Sequence, residues 1–168
     1  SQVAKERKAD VVVVGAGPAG IAAAIGAARN NADTLLVERY GFVGGFITSG
    51  YIAWLAGSHN KHNQQIAKGV FQELIDKVVK LGGSDGRVDI GKGHGSRIVF
   101  EPEMFKFAAF ELLEKEGVRL LLHSFVSDVA VEGNMIKGVA AYNKSGRQMI
   151  QGKIFVDATG DADIAAAG

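Results

Sequence analysis

The sequence contains no cysteine. This absence excludes structural disulfides, a cysteine nucleophile, a zinc site built on cysteine and the C-x-x-C pair of disulfide reductases. The sequence also lacks a large excess of charge of either sign. Its 19 Lys and Arg residues nearly balance its 18 Asp and Glu residues, which gives a net charge of +1. No basic stripe or block of like charge occurs. Nucleic acid and an anionic membrane are therefore not expected as partners.

One long run without charge is present, over residues 11–28, and it approaches the roughly 20 apolar residues that cross a bilayer. Three glycines, Gly15, Gly17 and Gly20, interrupt this run together with Pro18, so we reject a membrane span. No targeting segment is recognisable, and the cytoplasm is therefore the expected location.

The composition is that of a soluble α/β domain with one core. The chain has 168 residues, of which 47% are hydrophobic. Its 23 glycines exceed the average usage of about 7%, which fits a fold with close backbone approaches to a ligand. Residues 1–9 are polar and are expected to form a loose leader, so that the folded domain occupies residues 10–168.

The most informative segment begins with a strand and a glycine turn. Consecutive β-branched residues at Val11–Val14 predict a strand that is buried on both faces of a parallel sheet. A full G-x-G-x-x-G follows at residues 15–20 and opens a helix predicted over residues 18–29. In this motif the first glycine permits a tight turn, the second lets the backbone approach a pyrophosphate, and the third allows close helix packing. Pro18 suits the first helical turn, whose positive end faces the phosphates.

The motif is completed by a second strand that ends in an acid. Residues 34–37 read as this strand, and Glu38 stands at its tip. An acid about 20 residues beyond the glycines hydrogen-bonds ribose hydroxyls in dinucleotide-binding folds, and its charge disfavours a 2′-phosphate. A second glycine-rich segment, with Gly44 and Gly45, comes directly afterwards. It lies at the carboxyl end of the second strand, which is the ligand-binding edge of such a sheet.

Three motifs occur in order: G-A-G-P-A-G at 15–20, V-E-R-Y-G-x-x-G-G at 37–45 and V-D-A-T-G-D-A-D at 156–163. Together they resemble the FAD-dependent oxidoreductase family within the glutathione-reductase-like flavoprotein superfamily, over about residues 9–168. The resemblance implies an α/β fold in which a Rossmann-like parallel sheet with flanking helices carries an antiparallel three-stranded β-meander. It also implies FAD as the cofactor.

The same resemblance implies roles for individual residues. The pyrophosphate would be held by Gly15, Gly17, Pro18, Ala19 and Gly20. Glu38 would hold the adenosine ribose, Arg39 would lie near the adenine side, and the backbone at Val126 would contact adenine. The route toward the flavin ring would be lined by Gly44, Gly45 and Thr48. Close passage of the chain past the cofactor is expected at Ala158, Thr159, Gly160 and Asp161.

The patterns in the rest of the chain predict structural elements that support the site. Apolar spacing predicts a helix over residues 66–81, and Pro102 opens another that Gly117 closes. Residues 84–96 read as a mobile loop or a hairpin, within a helical or loop insertion at about 50–100. A strand is predicted over residues 118–122, and turn signals at Gly133-Asn134 and Ser145-Gly146 predict a three-stranded meander over residues 126–155.

None of the four histidines is a convincing catalyst. His59 and His62 lie among polar residues typical of a solvated turn, and they are too isolated to predict a metal site. His94 stands between two glycines, and His123 at a strand end reads as a structural histidine. The catalytic residues are therefore unknown at this point.

The sequence leaves three classes of function open. The first is a redox enzyme that uses FAD to accept a hydride, or electrons and a proton, from a small-molecule substrate. The others are a non-catalytic nucleotide-binding subunit and an NAD-dependent dehydrogenase. Members of the resembling family continue beyond the point at which this sequence stops. We therefore expect a missing C-terminal portion or a partner subunit, and an apolar face that promotes self-association.

Overall fold

The computed structural model describes residues 5–60, 62, 64–89 and 96–168. Within it the chain forms two compact units. One contains the residues up to Val43 together with Leu113–Gly168, and the other contains Gly44–Leu112. In chain order the elements are β1 Lys5–Val14, α1 Pro18–Arg29, β2 Thr34–Val37, α2 Phe46–Ser49, β3 Trp54–Ala56, α3 Val70–Lys80, β4 Arg87–Asp89, β5 Ser96–Val99, α4 Pro102–Lys115, β6 Arg119–Leu121, β7 Phe125–Glu132, β8 Met135–Asn143, β9 Gly146–Asp157 and α5 Asp163–Ala167.

The first unit is built on a six-stranded sheet in the order β6-β2-β1-β9-β8-β7. Strands β6, β2, β1 and β9 are parallel to one another, and β9, β8 and β7 form an antiparallel meander. This arrangement confirms the predicted α/β fold. All parallel strands point their carboxyl ends at one edge of the sheet, where ligands bind in folds of this kind.

The meander and the parallel sheet share a strand, which the sequence did not indicate. The turn signals predict the meander over residues 126–155 but not how it joins the parallel sheet. Strand β9 pairs with β8 on one side and with β1 on the other, because no turn interrupts residues 146–157. Strand β1 extends back to Lys5, which pairs with Gln148. Residues 5–9 of the expected leader therefore belong to the sheet, since backbone pairing does not require apolar side chains.

The core of this unit follows from the uninterrupted apolar strands. Side chains of β1 and β2 are buried on both faces of the sheet, as parallel strands require. The fully buried ones among them are Val12, Val13, Leu35, Leu36 and Val37. Helix α1 has the bounds that the sequence predicts, and it buries Gly20, Ile21, Ala24 and Ile25. Two of these four, Gly20 and Ala24, are small, which lets the helix approach its neighbours closely.

The second unit contains a three-stranded antiparallel sheet in the order β3-β5-β4, together with α2, α3 and most of α4. The apolar spacing predicts that helix α3 begins at Ile66, but the helix begins at Val70. The Ile66 N–H donates to the Ser58 carbonyl, and Gly69 adopts φ 66°, so the chain turns before the helix starts. Strands β4 and β5 form the hairpin that was one of two expectations for residues 84–96. His94 lies outside the described residues.

In the part of the chain that the structure describes, no helix has the length and apolarity needed to cross a bilayer.

Two isoleucines on β9 test the assignment of the core. Ile150 is 0% exposed, whereas Ile154 is 57% exposed. We expect Ile150→Ala to lower the free energy of unfolding by about 2–5 kcal/mol, because the substitution leaves a cavity in a closely packed region. Ile154→Ala should cost less than about 1 kcal/mol. Urea unfolding followed by circular dichroism measures both values, and equal losses would contradict the sheet orientation.

Candidate functional site

A cleft opens at the carboxyl edge of the parallel strands in the first unit. Residues at or beyond the carboxyl ends of β1, β2, β6 and β9 form its walls. They are Val14, Gly15, Val37, Glu38, Arg39, Ser124, Phe125, Val126, Thr159 and Asp163. The cleft therefore brings together four residues that the sequence predicts to bind the cofactor and that lie outside the glycine turn. They are Glu38, Arg39, Val126 and Thr159.

The glycine turn is shaped by close backbone contacts. Gly15 adopts φ 95°, which favours glycine, and a Cβ atom there would collide with the Ala158 carbonyl oxygen. Its N–H donates to the Val37 carbonyl at 2.8 Å. A Cβ atom at Gly20 would collide with the Gly15 carbonyl oxygen. Any side chain at either position would therefore push apart β1, α1 and the turn after β9.

The amino end of α1 is open to a ligand. Gly17 is the N-cap, with φ −71° and ψ −177°, and no side chain caps the first turn. Pro18 and Ala19 are exposed. Backbone N–H groups in the first turn of a helix have no intrahelical acceptor, and together with the helix dipole they favour an anion.

Glu38 is a buried carboxylate, 6% exposed, at the floor of the cleft. One of its oxygens, Oε2, accepts the Ala16 N–H at 2.7 Å, and Oε1 accepts the Tyr40 N–H at 2.9 Å. The carboxylate therefore holds the glycine turn directly. An ionised carboxylate has about four acceptor positions, so these two bonds leave about two for hydroxyl groups of a ligand.

Arg39 and Val126 lie on the walls of the cleft. The Arg39 guanidinium carbon stands 4.9 Å from the centre of the Tyr40 ring, and that ring stacks on Phe42 with centres 5.5 Å apart. This contact orients the arginine without burying its charge. Val14, Val37 and Val126 give the cleft apolar surface of the kind that a base ring can pack against.

Asp157 organises the turn between β9 and α5. Its Oδ1 accepts the Thr159 N–H at 3.1 Å and the Thr159 hydroxyl at 2.8 Å. Its Oδ2 accepts the N–H groups of Ile164 at 3.0 Å and Ala165 at 2.9 Å. Partial burial by itself raises the pKa of Asp157, but the hydrogen bonds from Ala165, Thr159 and Ile164 outweigh it, so the pKa lies below its ordinary value.

The turn that Asp157 organises contains four proposed cofactor-binding residues. The Ala158 N–H donates to the Val14 carbonyl at 2.9 Å, which joins the turn to the glycine loop. Thr159 lines the cleft, and its hydroxyl accepts the Asp163 N–H at 3.0 Å. Gly160 adopts φ 95°, and a Cβ atom there would meet nothing within 4 Å. Asp161 is exposed and is not among the cleft-lining residues.

The other three proposed residues belong to the second unit. Gly44 and Gly45 adopt φ 112° and 55°, and they precede the short helix α2. Thr48 is 1% exposed, and its hydroxyl donates to the Gly45 carbonyl at 3.2 Å. These glycines give the segment its turn. Their expected role toward the flavin ring stays a prediction.

The described histidines lie outside the cleft lining. His59 Nδ1 lies 3.1 Å from the Ser58 hydroxyl oxygen, and His62 is exposed. The ring of His123 rests against Gly41, and its backbone N–H donates to the Tyr40 carbonyl at 3.0 Å. Among the described residues, no group of three or more His, Cys, Asp or Glu side chains could hold a metal ion.

Sequence reasoning missed several residues of the site. Ser124, Phe125 and Asp163 line the cleft, and Asp157 fixes the turn beside it. Asp157 and Asp163 stand inside the third motif, so their presence near the site was recognisable. Nothing local to Ser124 distinguishes it from an ordinary loop serine, because its position depends on how β6 is joined to β7.

Residues 10–168 match the protein family described as FAD dependent oxidoreductase. The chain belongs to the FAD-dependent oxidoreductase family. Among curated proteins it is 27% identical to an NADH:fumarate oxidoreductase of Klebsiella pneumoniae, over 90% of this chain and 20% of that protein. It is also 26% identical to a digeranylgeranylglycerophospholipid reductase of Methanosarcina acetivorans, over 90% of this chain and 37% of that protein. The chain thus spans a fifth to somewhat over a third of these relatives.

Solved structures share the fold. A myxobacterial FAD-dependent halogenase, CndH, matches with TM-score 0.67 and 22% identity, over 91% of this chain and 37% of that one. THI4 of Thermovibrio ammonificans matches with TM-score 0.66 and 17% identity, over 95% of this chain and 61% of that one. At such identities the similarity extends to the fold alone.

The residues of the cleft fit FAD, the cofactor of this family. A buried carboxylate retains acceptor capacity at the cleft floor, and a helix amino end lacks a side-chain cap. A side chain at Gly15 or Gly20 would collide with a neighbouring backbone carbonyl, so the glycine turn that leads to this helix depends on both glycines. The donor set therefore matches the ribose, pyrophosphate and base of a dinucleotide.

Asp157 offers a test of the turn beside the cleft. We expect Asp157→Asn to lower the free energy of unfolding at pH 7 by about 1–3 kcal/mol, because hydrogen bonds to a charged acceptor are weakened. Because the pKa of Asp157 is lowered in the folded state, its ionised carboxylate stabilises the fold at pH values above the ordinary pKa of an aspartate. This stabilisation is lost as the pH falls through the pKa of the folded state. The difference between the native chain and the variant should therefore shrink below about pH 4.

Urea unfolding at a series of pH values measures this difference. Asp161→Asn is the matched control, since Asp161 is exposed in the same turn and should show little change. A difference that stays constant between pH 7 and pH 3 would contradict the role of the ionised carboxylate.

Gly17→Val tests the helix amino end. The backbone angles of Gly17 are allowed for valine, so the variant should fold, but its side chain would occupy space that a pyrophosphate needs. We expect a loss of FAD binding of at least a hundredfold, equivalent to about 2.7 kcal/mol or more. Flavin fluorescence quenching measures it. Gly26→Val is the control in the same helix, since a Cβ atom at Gly26 meets nothing within 4 Å.

Proposed function

We propose that residues 10–168 are the FAD-binding portion of a flavin-dependent oxidoreductase, with an insertion at about residues 50–100. The observation that carries this proposal is the Glu38 carboxylate, which binds the glycine turn and faces the cleft. A side chain that only fastened the turn would not need to be a charged group at the floor of an open cleft. Its remaining acceptor positions suit the two vicinal hydroxyls of a ribose.

Each part of the dinucleotide has a proposed partner. The ribose of the adenosine half binds Glu38, and the adenine ring lies between Val126 and the Arg39 side. The pyrophosphate lies at the amino end of α1, against Gly15, Gly17, Pro18, Ala19 and Gly20. The turn formed by Ala158, Thr159, Gly160 and Asp161 lies beside the flavin half. Gly44, Gly45 and Thr48 line the route to the flavin ring.

FAD, when bound, supplies a ring that accepts a hydride, or electrons and a proton, from a substrate. The residues of this chain bind and orient it. Glu38 keeps the turn closed through the Ala16 N–H, and the buried strands β1 and β2 exclude water from the floor of the cleft. We assign no catalytic acid or base to the described residues.

The remaining expectations concern what the cofactor meets. A small-molecule substrate, and a further polypeptide portion or partner subunit that covers the flavin, stay predictions, as do self-association and a cytoplasmic location. The curated relatives are much longer than this chain, which is compatible with further substrate-binding parts. The activities of these relatives support a class of chemistry for this chain, oxidation and reduction, and no particular substrate.

Titration of the purified chain with FAD and with NAD, followed by flavin fluorescence and calorimetry, tests the proposal. We expect saturable binding of FAD and weaker binding of NAD. Tighter binding of NAD would favour the dehydrogenase alternative. Tight FAD binding without reduction by any tested substrate or partner would favour the non-catalytic subunit.

Glu38→Gln is the sharpest variant for the proposed ribose contact. The amide keeps the shape but removes the charge, and its NH₂ group would face either the Ala16 N–H or the Tyr40 N–H. Hydrogen bonds to charged groups contribute about 1.5–3 kcal/mol, so FAD affinity should fall at least tenfold. Glu132→Gln is the control, because the Glu132 side chain is 79% exposed at the far end of β7. An unchanged FAD dissociation constant in Glu38→Gln would exclude the ribose role.

A further inference from the structure

A row of hydrogen-bonded polar side chains runs behind the cleft, and the function proposed above makes no use of it. Gln148 and Ser124 are buried, with 2% and 1% of their surface exposed. Arg7 Nε donates to Gln148 Oε1 at 2.8 Å, and Gln148 Nε2 donates to Asn143 Oδ1 at 2.9 Å. Asn143 Nδ2 then donates to Ser124 Oγ at 3.0 Å. The row thus connects β1 and the β8–β9 turn to a wall of the cleft.

The polar groups of this row have further partners. The Ser124 hydroxyl donates to the Leu122 carbonyl at 3.0 Å, and Asn143 Oδ1 also accepts the Ser145 N–H at 2.8 Å. Both ends of the Gln148 amide are bonded within the row. A buried polar network whose members are satisfied rigidifies its surroundings, because any other rotamer leaves a buried group without a partner. Asn143 is therefore held in one orientation, with its NH₂ group directed at Ser124.

The segment that receives this hydrogen bond is the bend between β6 and β7. His123 adopts φ 50° there, a conformation that residues other than glycine adopt rarely. On one side the bend is bonded to the end of β2, since the Ser124 N–H donates to the Glu38 carbonyl at 2.9 Å. On the other side the Asn143 amide holds the Ser124 hydroxyl. Ser124, Phe125 and Val126 then form one wall of the cleft.

We propose that Asn143 and Gln148 are positioning residues for the adenosine half of the cofactor, which hold the Ser124–Val126 wall at its distance from Glu38. This inference rests on the proposed FAD function of the cleft. Neither Asn143 nor Gln148 lines the cleft, so both act through Ser124. The chemistry that they serve is recognition of an adenine nucleotide, and ADP is therefore the appropriate probe.

The experiment is a double-mutant cycle on ADP affinity with Asn143→Ala, Ser124→Ala and the double variant. Calorimetric titrations are made at a temperature at which melting curves show each variant to be folded. We expect each single substitution to weaken ADP binding about fivefold, the loss equivalent to one neutral hydrogen bond. The double variant should bind no more weakly than either single variant, because all three lack the same link. Asn134→Ala, in the exposed β7–β8 turn, is the control and should bind as the native chain does.

A merely structural role predicts a different result. Melting temperatures would then fall while ADP affinity of the folded protein stayed within twofold of the native value, and this result would overturn the proposal. Additive losses in the double variant would overturn it as well. Gln148→Leu breaks the row at a residue that does not line the cleft, so its ADP affinity decides the question if Asn143→Ala does not fold. If the native chain and the variants bind ADP equally well, only the positioning role is rejected. If the native chain binds neither ADP nor FAD, the proposed function is rejected as well.

Discussion

The site depends first on the hydrogen bond between the Ala16 N–H and the Glu38 carboxylate. This bond joins the tip of β2 to the turn between β1 and α1, and a second bond from Gly15 to the Val37 carbonyl supports it. The Glu38 residue is 6% exposed, so the rest of the chain covers most of its surface. An ionised group at such a position needs partners, because burial of an unpaired charge is costly. The Ala16 N–H of the turn and the Tyr40 N–H after β2 are two such partners.

A second carboxylate, that of Asp157, fixes a loop by hydrogen bonds on the other side of β1. Asp157 accepts two hydrogen bonds from Thr159 in the turn after β9 and two from the first residues of α5. That turn touches Gly15 through the Ala158 carbonyl. The parallel arrangement of β1, β2 and β9 brings both carboxylates to the same edge of the sheet. Buried apolar strands thus determine where the edge lies, and hydrogen bonds to carboxylates determine the shape of the loops on it.

Much of this architecture was predictable from local patterns. The four valines of β1, the glycine spacing and the helix over residues 18–29 are properties of one short segment, and the structure has them as predicted. What the sequence did not reveal depends on distant pairing. Residues 5–9 are polar, yet they form strand because Gln148 and its neighbours lie beside them. The start of α3 at Val70 depends on a loop bonded to Ser58, and the place of Ser124 depends on the bend at His123. Such features arise from tertiary contacts, which override local periodicity.

The most direct test of the central claim is a titration of the ¹⁵N-labelled chain with FAD, followed by amide chemical shifts. We expect the amides of Ala16 and Tyr40, which donate to Glu38, to shift together with those of Gly17, Val126 and Thr159. Amides near Lys8 and Gln151, in a groove apart from the glycine turn and Glu38, should not shift. Shifts confined to that groove, or no change at Ala16 and Tyr40 at saturating FAD, would contradict the account.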